Sequence, residues 1–174
     1  MKPVQFILLT TLMCLWCASS CKKNEPKVWT ELPPATQTRE NTIGCLVNGE
    51  LWATGKLRGS FKFPAMKAEY RDYGDEVHLD FYAGGNGGSI GFVVVNPHIG
   101  KNEAKVACSF DMIPGCTVML YPITNLTITK MDLGKGILSG LFAFDVPCSE
   151  DTDKVLHITE GRFDLYMTVL IPQN

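Results

Sequence analysis

Side chains alternate between apolar and polar over short runs, and turn residues interrupt the alternation about every ten positions. Val77-His78-Leu79-Asp80-Phe81-Tyr82 puts Val77, Leu79 and Phe81 on one face and His78, Asp80 and Tyr82 on the other. An extended strand, with its period of two, turns such a pattern into one dry and one wet face. Leu126 to Met131 alternates in the same way. Ile137 to Val146 sets Leu141, Ala143 and Asp145 against Phe142, Phe144 and Val146, and Phe163, Leu165 and Met167 share a face of the last run. Asn48-Gly49 supplies the two positive φ angles of a type I′ hairpin. Gly74-Asp75, the glycine-rich loop Gly84 to Gly88, Asn96-Pro97 and Ile113-Pro114-Gly115 mark further turns. No apolar stripe of helical period runs free of Gly and Pro, although Lys101 to Lys105 leaves room for one short helix. The expectation is an all-β fold of about nine or ten strands, an antiparallel β-sandwich, with a lipocalin-like β-barrel as the alternative.

The amino terminus obeys a different rule. Lys2 is followed by the apolar run Phe6 to Trp16, then by Ala18-Ser19-Ser20, then by Cys21. Charge, apolar run and small residues in that order are the parts of an export signal. The run falls short of the roughly 20 residues that span a bilayer. The small-small-Cys ending resembles the lipobox of bacterial lipoproteins, with Ala18 where Leu is most usual. That resemblance implies acylation at Cys21. The expected division is a lipoprotein signal peptide over 1–20, a linker rich in Pro, Thr, Lys and Glu over 21–42, and one all-β domain over 43–174.

Of the 174 residues, 45 % are hydrophobic and 20 % charged, ordinary for a folded domain. Net charge is −2, and losing the leader with its single base, Lys2, makes the remainder more acidic. Such a balance is no electrostatic footprint for nucleic acid, whose binders need a basic face.

Four segments in order carry a wider resemblance: Gly44-Cys-Leu-Val-Asn-Gly-Glu-Leu-Trp52, Leu126-Thr-Ile-Thr-Lys-Met-Asp-Leu133, Gly136-Ile-Leu-Ser-Gly-Leu-Phe-Ala-Phe144 and Ile158-Thr-Glu-Gly-Arg-Phe-Asp164. Together they resemble uncharacterised lipoproteins of Bacteroidota grouped as a domain of unknown function. The resemblance implies an exported, β-rich lipoprotein of the outer membrane, periplasmic or surface-facing, and brings no activity or site with it.

Export exposes cysteines to an oxidising compartment. Beyond Cys21 the candidates for disulfides are Cys45, Cys108, Cys116 and Cys148. Cys108 and Cys116 flank Ile113-Pro114-Gly115, so a hairpin there would join them and leave Cys45 for Cys148. Four reduced, buried thiols are the competing reading. Zinc is rejected, because the one close C-x-x-C pair, Cys14 and Cys17, lies in the leader. No cofactor is implied.

Chemistry-bearing residues are few. His78 shares a face with Asp80, and His98 lies near Glu103. With Ser89 or Ser109 as nucleophile these would make a hydrolase, but neither serine sits in a G-x-S-x-G elbow. Solvent-facing polar residues on half-buried strands account for them equally. No catalytic residue is assigned. Gly84 to Gly88 could form an anion nest, but no Lys-Ser or Lys-Thr of a P-loop follows. Ser149 to Asp153 offers carboxylates for calcium without the EF-hand pattern. Phe61, Phe63, Tyr70, Tyr73, Tyr82 and Tyr121 could present a sugar- or peptide-binding platform or could fill the core. The expected function is a membrane-tethered, non-catalytic module that binds an envelope protein or glycan. The alternatives are a carrier with a barrel cavity for a small apolar ligand and, last, a hydrolase using His78 or His98.

Overall fold

A computed structural model describes residues 29–54, 66–85 and 87–170. These form ten strands: β1 (Thr42–Val47), β2 (Glu50–Thr54), β3 (Met66–Asp72), β4 (Val77–Gly85), β5 (Gly88–Val95), β6 (Gly100–Phe110), β7 (Thr117–Asp132), β8 (Ile137–Pro147), β9 (Val155–Tyr166) and β10 (Thr168–Leu170). The described residues contain no helix, hence none long and apolar enough to cross a membrane. The leader, Cys21 and the first part of the expected linker lie outside them.

All ten strands belong to one sheet, in the order β10-β3-β4-β5-β6-β7-β8-β9-β1-β2. Neighbours are antiparallel except β10 with β3. Only Met167 separates β9 from β10, yet β10 pairs with β3 at the far end of the order. The sheet therefore has to curl until the continuation of β9 reaches β3. A second contact closes the same gap: Trp52 Nε1 on β2 donates to the carbonyl of Gly85 on β4 at 3.2 Å. The all-β expectation holds, in the form of a curled half-barrel. The fold lies between the two limits the alternation allowed, two packed layers and a closed ring.

Alternation decides what fills the curl. Leu79 and Phe81, and likewise Phe142, Phe144 and Val146, face inward as the pattern requires, as do Phe163, Leu165 and Met167. The rings of Phe81, Phe92, Phe142 and Phe163 pack against one another, Phe81 lying 4.8 Å from Phe92 and 4.7 Å from Phe163 between centroids. Two glycines admit these rings. A Cβ on Gly140 would lie 2.4 Å from the Phe163 ring, and one on Gly161 2.3 Å from the Phe142 ring.

Three local expectations change. Lys101 to Lys105 is strand, because Asn102, Ala104 and Val106 bury every second position of β6. The glycines of 84–88 largely join the ladder, with Gly84 opposite Ser89 and Gly85 opposite Gly88. The second half of the expected linker is docked on the sheet. Asp164, only 1 % exposed, accepts bonds from Thr36 Oγ1 (2.6 Å) and from the backbone N–H groups of Thr38, Arg39 and Glu40 (3.0, 3.0 and 3.2 Å). Ser139 Oγ adds another at 2.8 Å.

The cysteine pairing also differs. Cys116 bonds to Cys148, and Cys45 and Cys108 are free and buried. The reason lies in register. Across the β6–β7 hairpin Cys108 faces Val118, two residues beyond Cys116, and its thiol points into the core. Cys116 stands just before β7 and Cys148 just after β8. Because these strands are antiparallel, the start of one lies beside the end of the other, where Ser149 N donates to Thr117 O at 2.7 Å.

Candidate functional site

The histidines and serines named from the sequence lie at opposite ends of the sheet. His78 is opposite Val95 on β5, whereas Ser89 is opposite Gly84 and Ser109. Six residues of β4 separate the two levels, about 20 Å of extended chain. His98 belongs to the turn beyond β5, at the histidine end. Its backbone is clasped by buried Asn102, whose Oδ1 accepts from His98 N and whose Nδ2 donates to His98 O. The imidazole of His78 meets Glu76 Oε2 at 3.2 Å and the edge of Tyr73, and Asp80 is taken by Arg71. Nucleophile and base are thus held apart by the strands that carry them. A third histidine, His157, contacts Asp145 Oδ1 at 2.9 Å, a cross-strand pair on the exposed face of β8 and β9. In the segment considered for calcium, Asp151 binds Lys154 and caps the turn through Asp153 N. Among the described residues no three His, Cys, Asp or Glu side chains gather as metal ligands.

The aromatic expectation divides. Phe61 and Phe63 lie outside the described residues. Tyr70 packs against the core and Tyr73 meets His78 edge-on. Tyr82 is different. It projects from the outer face of β4, 45 % exposed, and its ring lies along the strand on a bed of glycine. A Cβ on Gly84 would come within 2.4 Å of the Tyr82 hydroxyl oxygen and 3.0 Å of Cζ, and one on Gly91 within 3.4 Å of Cδ2. The ring therefore lies close over the glycine positions and remains partly open to solvent.

Register extends this seat into a groove. Lys67, Tyr82, Gly91 and Ala107 stand opposite one another across β3, β4, β5 and β6. On β7 the register slips between the pairs Val106–Tyr121 and Cys108–Val118, so that Met119 and Leu120 together oppose Ala107. This bulge holds Leu120 at φ 48, a conformation that costs a bulky residue about 1–2 kcal/mol. It re-aims Leu120, 55 % exposed, to form the far wall. The groove, about 240 Å³, has a floor of small residues between Tyr82 and Leu120. Its rim is charged: Glu69 binds Lys67 and Arg71, and Arg71 Nη1 donates to Asp80 Oδ2 at 3.0 Å. The bond from Lys67, with the nearby Arg71, holds the Glu69 carboxyl below its ordinary value, so it is an acceptor at neutral pH. A flat ring, a shallow apolar floor and fixed hydrogen-bonding groups at one edge can hold a ring-shaped ligand by stacking and orient it by polar contacts.

Sequence reasoning named Tyr82 and missed Gly91, Ala107 and Leu120. The available signal was the run of small residues at outward positions of strands otherwise rich in branched side chains. Among the described residues, Phe81, Phe92, Phe142 and Phe163 pack together inside the curl. Comparison of the chain with protein-family models, with curated proteins and with solved structures gives no match.

Proposed function

We propose that this protein is a lipid-anchored module of the cell envelope that binds a saccharide, without catalysis, on the outer face of β3 to β7. The observation that carries the reading is the seating of Tyr82 over Gly84 and beside Gly91, in one groove with the bulged Leu120. Sugar rings present apolar C–H faces and polar edges, which fit a flat aromatic and a rim of Glu69, Arg71 and Asp80. The leader pattern ending in Cys21 supports export and acylation. The Cys116–Cys148 bridge suits an oxidising compartment.

The test uses the full chain in neutral detergent and hexaoses derived from cellulose, xylan, mannan and chitin. At least one should bind the wild type. Tyr82→Ala should abolish that binding, and so should Gly84→Ala, whose new methyl displaces the ring while the strand survives. No binding by the wild type, or undiminished binding by both variants, defeats the reading. Anchoring is tested separately: Cys21→Ala should move the protein from the membrane to the soluble fraction, and continued membrane fractionation counts against acylation there.

A further inference from the structure

A second concavity lies away from the Tyr82 groove. The loop at Gln37 to Arg39, the turn between β7 and β8, and the junction of β9 with β10 enclose a cleft of about 700 Å³. Arg39, Lys130 and Lys135 line it, and among the described residues no carboxylate does. Among the described residues none of the three forms an ion pair, nor do Lys101 and Lys105 on β6, whereas Lys67, Arg71, Lys154 and Arg162 each have a carboxylate partner. In a chain of net charge −2, three unpaired bases converging on one cleft call for an anion from outside.

Two of the cations, Arg39 and Lys130, are held in place. Arg39 sits at φ 67, its backbone N–H donating to Asp164, and its guanidinium carbon lies 5.8 Å from the centroid of the Tyr166 ring. Arg39 Nη1 donates to the carbonyl of Lys135 at 2.8 Å, which leaves most of its five-donor fork for a ligand. Glycine at 136 leaves room for this turn and the ring beside it: a Cβ there would stand 2.6 Å from Met167 O and 3.0 Å from Tyr166 Cε2. Lys130 Nζ donates to Gln37 O at 3.3 Å, tying the loop to β7. The nearest acids are turned to other work. Glu40 accepts from the Thr38 hydroxyl, Asp132 from Lys135 N, and Asp164 from the loop and Ser139.

We propose that this cleft binds the acidic groups, carboxylate or sulfate, of an acidic saccharide chain. Its volume falls within the range of small-molecule sites, beyond what a lone ion needs. Its cations come from three separate elements, which suits repeated negative groups along a chain. Gln37, Thr38 and Thr168 add neutral hydrogen-bonding groups. The inference stands on its own observations and does not depend on the Tyr82 groove.

The experiment is fluorescence polarisation with the full chain in neutral detergent and a labelled hexagalacturonate. Neutral galactohexaose, inorganic phosphate and phosphatidylglycerol vesicles serve as competitors. Hexagalacturonate should bind, more weakly as salt is raised. Arg39→Gln with Lys130→Gln should weaken binding by about tenfold or more, and Arg39→Lys should recover it only in part, since lysine lacks the planar fork. Tyr82→Ala should leave it unchanged. Should the Arg39 variant loosen its loop, Lys130→Gln with Lys135→Gln gives the same reading from β7 and the turn after it. Equal affinity for galactohexaose, full displacement by phosphate or by vesicles at equal anion concentration, or unchanged affinity in both double variants would overturn the proposal.

Discussion

Asp164 shows how much one side chain can organise. It is the one ionisable side chain among the described residues' buried polar groups. Burial opposes its charge, but bonds from Thr36, Thr38, Ser139 and Glu40 outweigh burial and hold its carboxyl below the ordinary 3.8. Asp164→Ala strands those donors and should cost about 3 kcal/mol, read as a lower urea midpoint. The sign with pH follows. A carboxyl depressed in the folded state contributes stability that is fully present above its unfolded value and is lost as pH falls through the folded one. The wild type should therefore lose stability below about pH 4 more steeply than Asp164→Asn, which has no such charge to lose. Equal slopes for the two proteins would count against the clamp. The thiols make a second residue-scale test. Burial pushes Cys108 up to about 12, and burial with the Cys108 thiol nearby pushes Cys45 up to about 12. Both should resist alkylation in the native protein at pH 8 and react once urea unfolds it. Cys116 and Cys148 should react only after reduction as well. Peptide mapping that finds Cys45 or Cys108 labelled in the native state would contradict their placement.

At the scale of elements, what could be read in advance was what depends on neighbours in sequence. Asn48-Gly49 turns as its residue types require, with φ of 49° and 87°. The inward sets on β4, β8 and β9 follow from alternation alone, because a one-residue slip would turn every apolar side chain outward. Contacts that depend on strand order were not legible. The partner of Cys116 follows from β7 lying antiparallel to β8, not from the nearer Cys108. The groove follows from a bulge in β7, and no local composition announces that Leu120 will adopt positive φ. Of the candidate site, then, Tyr82 could be read and its opposite wall could not. Leu120→Gly tests this element. It relieves the backbone cost of the bulge, at a glycine entropy cost of about 0.5–1 kcal/mol, and removes a wall that is more than half exposed. Thermal stability should stay level or rise while saccharide binding weakens. A large loss of stability would mean that the bulge owes its geometry to the leucine.

For the whole molecule, closure is the governing event. β9 runs into β10, and β10 reaches the opposite end of the strand order, so the curl is completed by the last segment of the chain to be described. The Cys116–Cys148 bridge spans 32 residues and pins β7 to β8 on the other side. By the chain-entropy argument such a loop is worth about 3–4 kcal/mol, so reduction should lower the melting temperature by roughly 10 °C. An unchanged melting point on reduction would show the bridge to be idle. On the proposed reading the outer surface of the curl meets the ligand, and the segment docked on Asp164 lies between that surface and the tether proposed at Cys21. The most direct test is an amide chemical-shift titration of the full chain in micelles with the hexaose it binds best. The account predicts that the perturbed amides cluster at Tyr82, Gly84, Gly91, Ala107 and Leu120. Perturbation centred instead on Phe81, Phe92 and Phe142, inside the curl, or no perturbation with any hexaose, would contradict it.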